Sequence, residues 1–138
     1  MKTQPDEYSC GVYAVINALS AIGDEKSPDE VLEYTETDEN GTSEKGIKNA
    51  LEAFGYIVQE YTTHNSNNAW RWVLTNSINY PLILIIEKWN HWVVIAGRLK
   101  NKVILIDSDP KNTVAVLGKF ELLNKWGYRG FYGIKIKR

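Results

Sequence analysis

Residues 4–23, QPDEYSCGVYAVINALSAIG, constrain this chain more than any other stretch. Val12, Val15, Ile16, Leu19 and Ile22 recur at three- and four-residue intervals, the spacing of one helical face. At about 100° per residue that face lies opposite Cys10. The cysteine side carries the small residues Ala14, Ala18 and Ala21, together with Asn17. A helix that is apolar on one side and small on the other can be buried from both. The stretch therefore predicts a central helix from about Cys10 to Ile22, stopped at Gly23. It also predicts an element packed closely over Cys10.

That position suits chemistry. The first N–H groups of a helix have no partner within it, and the helix dipole favours negative charge there. A thiol so placed is biased toward the thiolate, its nucleophilic form. Gln4 lies six residues earlier, and its amide can donate beside the backbone N–H of Cys10. Two such donors make an oxyanion hole. Gly11 leaves room for substrate or backbone beside the sulfur. A base is also needed, and the chain has two histidines. His64 lies in the polar stretch TTHNSNN and reads as solvated. His91 opens the apolar run of KWNHWVVIAG. A turn at residues 99–102 leads from that run to VILIDSDP, which gives an antiparallel hairpin. The start of one strand of a hairpin lies beside the end of the next. His91 and Asp107 are therefore predicted neighbours. Asp109, before Pro110, is the competing acid; Asp107 is preferred because a strand end holds its side chain rigidly. Trp89 and Trp92 flank His91 as candidate cleft walls, whereas the remaining tryptophans read as packing.

A length of 138 residues predicts one domain over 1–138. Hydrophobic residues make up 43% and charged residues 24%, the balance of a soluble globular chain. A net charge of −1 offers no general field for nucleic acid, and none is expected as a partner. Charge is nonetheless uneven: residues 24–44 hold nine acids and one lysine, and residues 98–138 hold ten bases and three acids. Both runs read as solvated faces. One cysteine forms no intramolecular disulfide, so nothing indicates an oxidising compartment. No apolar run reaches membrane-spanning length, and MKTQPDEY is no signal peptide. A cytoplasmic location is expected, although effector-type secretion leaves no such mark. One cysteine and two separated histidines do not have zinc-ligand spacing, and there is no glycine-rich phosphate loop. No metal and no cofactor are expected.

Further along, Ser27-Pro28-Asp29-Glu30 is a capping box with proline at the first helical position. It opens a short helix with Val31, Leu32 and Tyr34. After the polar loop TETDENG, Thr42 or Ser43 caps a helix whose inner face is Ile47, Ala50, Leu51 and Phe54. YIVQEY reads as a strand in which Ile57 alternates with Gln59. Residues 65–68 are a loop or cap before a helix that reaches about Ile78. LILIIE, residues 82–87, is a strand buried on both faces. The strands 91–96 and 103–107 follow, then a turn over residues 109–112. A strand over 113–117, a helix over 120–126 and a strand over 131–137 complete the chain. Helices come first and a mostly antiparallel sheet second, an α+β arrangement in two lobes with the Cys10 helix at its centre.

Gln, five residues, then Cys-Gly opening an Ala-rich apolar helix, with His and Asp downstream in that order, resembles the papain-like cysteine peptidases. Pro-Leu-Ile at 81–83 and GIKNALEAFG at 46–55 narrow the likeness to the double-glycine leader peptidases of bacteriocin exporters, and it covers most of the chain. The Cys-Gly-Val, His-Trp and Asp-Ser pairs also resemble the ubiquitin-like-protein proteases, but there His and Asp precede Gln and Cys. The resemblance implies a cleft between a helical lobe and a sheet. It makes Cys10 the nucleophile, His91 the base, Asp107 the orienting acid and Gln4 the oxyanion donor. The implied partner is a peptide or protein substrate. A deamidase, amidase or acyltransferase on the same scaffold, or a silent peptide-binding domain, are the alternatives.

Overall fold

The computed structural model describes residues 3–6, 8–88, 90–110 and 113–138. Three helices come first: α1 (Cys10–Ser20), α2 (Pro28–Thr35) and α3 (Glu44–Ala53). Then follow β1 (Ile57–Thr63), α4 (Ser66–Asn76), β2 (Leu82–Ile86), β3 (His91–Leu99), β4 (Lys102–Ile106), β5 (Val114–Leu117), α5 (Lys119–Lys125) and β6 (Phe131–Lys137). The six strands form one sheet in the order β1-β6-β2-β3-β4-β5. All of its paired strands are antiparallel. This is the α+β arrangement expected of the chain.

α1 is buried nearly all round, with only Tyr13 and Ser20 half-exposed. It packs on β2 and β3 and also on α2 and α3. Its apolar and small sides are therefore both covered. The helix stops at Ser20, and residues 21–23 turn away through hydrogen bonds from Ile22 to Leu19 and from Gly23 to Ser20. Ala21 is consequently exposed instead of lying beside the cysteine face.

α2 begins at the full capping box: Glu30 N–H donates to the Ser27 hydroxyl at 3.2 Å, and Ser27 N–H donates to the Glu30 carboxylate at 3.1 Å. Only Val31 of its three apolar residues is buried; Leu32 and Tyr34 stay exposed, and the Tyr34 ring meets Phe54 edge-on. Ser43 caps α3, accepting from Gly46 N–H at 3.1 Å. Thr42 does a different job, described below. The two helices approach so closely that a Cβ on Gly46 would stand 2.2 Å from the Thr35 carbonyl oxygen.

Both faces of the sheet are covered. Ile83, Ile85, Trp92, Val94, Ile134 and Ile136 join the core beneath α1–α3. Leu82, Leu84, Val93, Ile95, Val103 and Leu105 join a second core with Val73 of α4, Leu122 of α5 and Trp126. β2 lies inside this sandwich and is buried along its whole length, which is why its sequence is apolar without interruption. On the edge strand β1 the inward position is Val58, and Ile57 and Gln59 do not alternate but share the exposed face. α5 begins one residue early and turns Phe120 out to solvent. His64 is exposed, as a polar loop dictates.

A candidate cysteine-nucleophile site

Strand ends set the site. His91 opens β3, and Asp107 follows directly after β4. Both residues stand at the strand ends, where the ladder from β3 to β4 stops at the pair Val94–Ile106. There His91 Nε2 lies 2.6 Å from Asp107 Oδ1. The same Asp107 oxygen accepts the Asp109 N–H at 2.9 Å, and the Asp107 N–H donates to the Thr113 carbonyl at 2.6 Å. The acid is thus fixed from its backbone and its side chain. Asp109 is half-buried two residues further on and lends the site its backbone N–H.

With Nε2 turned to Asp107, the other ring nitrogen is left for a second partner, and Cys10 is close enough to act on the imidazole pKa. Burial of His91 opposes its charged form. The hydrogen bonds to Asp107 and Cys10 and the negative charge of both outweigh it, and the imidazole pKa is pushed up to about 10. The ring therefore keeps its second proton well above the pH at which an ordinary histidine releases it.

Cys10 is 4% exposed but lines a cavity of about 350 Å³ together with Tyr8, Glu39, Thr42, Asn90 and Trp92. Ser9, the residue before α1, makes no side-chain cap, so its hydroxyl leaves the first-turn N–H groups uncovered. Its own N–H donates to the Asp6 carboxylate at 2.9 Å, which holds the loop in place.

Gln4 is buried at 8% exposure and clasped to the segment after β4. Its N–H donates to the Ser108 carbonyl at 2.8 Å, and the Ser108 hydroxyl donates to its side-chain oxygen at 2.5 Å. Its side-chain nitrogen donates to the Asp6 carbonyl at 2.5 Å. A primary amide has two N–H donors, and among the described residues the Asp6 carbonyl takes one of them. Gln4 and His91 line a second depression, with Glu87, Asn90 and Asp109. Ser108 was not foreseen; only its place next to Asp107 marked it.

Gly11 makes room for protein and not for substrate. A Cβ there would stand 2.6 Å from the Thr42 Cβ, so the loop before α3 rests directly on α1. Trp92 donates its indole N–H to the Thr42 carbonyl at 2.8 Å, and the Thr42 hydroxyl bonds to Thr37 at 2.6 Å. Trp92 thus lines the cavity and also anchors its opposite wall. Trp89 lies outside the described residues. Among the described residues no group of three or more His, Cys, Asp or Glu is placed to hold a metal ion, and no helix is long and apolar enough to cross a membrane.

Residues 1–129 match the sequence profile of the Peptidase C39 family. The chain belongs to that family. This Peptidase C39 chain is cysteine peptidase-like in sequence and fold. It is 33% identical over 127 residues to the lactococcin transport/processing ATP-binding protein LcnC-like of Lactococcus lactis subsp. lactis (strain IL1403). It is 34% identical to the lactococcin-A transport/processing ATP-binding protein LcnC of the same subspecies. Each match takes in 90% of this chain, which spans 17% of the length of those relatives. Among solved structures, the peptidase domain of Streptococcus ComA, a bifunctional ABC transporter involved in quorum sensing, superposes with a TM-score of 0.79 at 23% identity, over 99% of this chain and 96% of that one. A double glycine motif protease from an AMS/PCAT transporter, solved with its leader peptide, gives 0.76 at 15% identity, over 98% and 88%. Both likenesses establish the fold.

Proposed function

We propose that residues 1–138 form one peptidase domain that cuts a peptide after a double-glycine leader, with Cys10, His91, Asp107 and Gln4 as its working residues. The observation that carries this reading is the His91 imidazole bonded to the Asp107 carboxylate, with Cys10 at the start of α1 raising its pKa alongside Asp107. The double glycine motif protease solved with its leader peptide suggests the substrate class, and the relatives named for lactococcin transport and processing suggest that the domain serves an exporter.

The chemistry runs as follows. The Cys10 sulfur, its proton resting on His91, attacks the scissile carbonyl carbon and forms a C–S bond. The carbonyl oxygen becomes an oxyanion held by the Cys10 N–H and the second amide hydrogen of Gln4. The C–N bond breaks as His91 protonates the departing nitrogen, leaving a thioester. His91 then takes a proton from water, whose oxygen attacks the thioester carbon. The C–S bond breaks, the acid is released and Cys10 is regenerated. Asp107 keeps the imidazole oriented and stabilises its positive form throughout.

The test is a synthetic peptide with a Gly-Gly site followed by mass spectrometry. Cleavage after the second glycine is expected with the wild-type chain and none with Cys10→Ala. Gln4→Ala should lower kcat by about 10²- to 10³-fold. Cleavage that persists in Cys10→Ala removes the nucleophile assignment. Release of ammonia without chain scission moves the chain to the amidases.

A further inference from the structure

The cavity at Cys10 and the depression at His91 are separate openings that meet at Asn90. In acyl transfer the carbonyl carbon bonds to sulfur, while the departing nitrogen takes its proton from the imidazole. The acyl half of a bound peptide therefore lies over Cys10, and its leaving half over His91. In the Cys10 cavity, Glu39 is the one carboxylate of the lining. Among the described residues no ion pair involves its carboxylate.

The loop that carries Glu39 is braced. Asp38 and Gly41 pair across it, the Asn40 N–H donates to the Asp38 carboxylate at 2.8 Å, and Trp92 holds Thr42 from the sheet. The stretch of chain that carries it is acidic. Residues 24–44 carry nine acids against one lysine, and that lysine pairs with Asp24 at 3.5 Å. A negative charge on a braced wall of the acyl-side cavity favours a positive side chain in the substrate.

We propose that Glu39 is a specificity-determining residue that selects a lysine or arginine within the few substrate residues N-terminal to the scissile bond. The proposal rests on the peptidase reading of Cys10, and its test has an arm that needs no turnover.

Cys10 is the sole cysteine, so thiol reagents report on this cavity alone. The folded protein is treated with a cationic and an anionic methanethiosulfonate of similar size, at low salt. The ratio of cationic to anionic rates should fall about 2- to 5-fold in Glu39→Gln and further in Glu39→Lys, and the effect should shrink at high salt. An unchanged ratio in both variants overturns the proposal. In the second arm, lysine is compared with glutamine at each of the two positions before a Gly-Gly pair and the two positions after the bond cut behind it. The lysine-to-glutamine ratio of kcat/KM should depend on Glu39 on the N-terminal side only. Dependence confined to the C-terminal side, or none, also overturns the proposal. If no peptide is cut while the reagent ratio moves, the peptidase reading falls and the cation preference of the cavity stands.

Discussion

At the scale of single residues, Asp107 and Asp109 differ in how each meets the site. Asp107 offers a side-chain oxygen to His91, whereas Asp109 offers a backbone N–H to that same oxygen. A side-chain substitution removes the first contribution and spares the second. Asp107→Ala should therefore reduce kcat by about 10²- to 10⁴-fold, because the imidazole loses the group that orients it. Asp107→Asn keeps an acceptor oxygen and should recover part of the loss. Asp109→Ala should stay within about 3-fold of wild type, a change near or below 1 kcal/mol. Steady-state kinetics on one peptide separate the three. A larger loss in Asp109→Ala than in Asp107→Ala would reverse the assignment.

At the scale of elements, α1 and the loop before α3 are fitted to one another through Gly11. Replacing glycine by alanine inside a helix normally gains up to about 1 kcal/mol. Here the new methyl would stand 2.6 Å from the Thr42 Cβ, and overpacking of that kind costs about 1–3 kcal/mol. Gly11→Ala should thus lower the thermal midpoint, and Thr42→Gly in the same chain should recover part of it. A midpoint at or above wild type would mean that the loop yields. This pairing shows where sequence reading stops. α1, the capping box of α2 and the β3–β4 hairpin follow local periods and caps, and Cys10, His91 and Asp107 sit at the boundaries of those elements. The loop 36–43 has no period. Its fold depends on a bond between Trp92 and Thr42, fifty residues apart, and on a chain of threonine hydroxyls. The anchoring of Gln4 by Ser108 is likewise a contact across 104 residues. The placements of Ile57, Ala21 and Phe120 depend on where strands and helices end, and ends are the least certain part of any periodic signal.

At the scale of the whole molecule, His91 links stability to pH. In the unfolded chain a histidine releases its proton near pH 6.5. In the folded protein the hydrogen bonds and charges of Asp107 and Cys10, working against burial, hold it up to about 10. Between these values the native state binds the extra proton, so this stabilisation is complete below about 6.5 and is lost as pH rises toward 10. Urea midpoints of the wild type should fall between pH 6 and pH 9.5 by more than those of His91→Gln. Parallel slopes for the two proteins would remove the linkage.

The order of the sheet has a consequence in time. β6 lies between β1 and β2, so a chain leaving the ribosome has made its nucleophile helix long before the strand that closes the sheet. Until residues 131–137 emerge, β1 and β2 have no common neighbour, and the two sheet halves have nothing to join them. A half-translated chain thus holds Cys10 with neither His91 nor Asp107 yet made, and the last strand to emerge is the seam that sews β1 to the rest of the sheet.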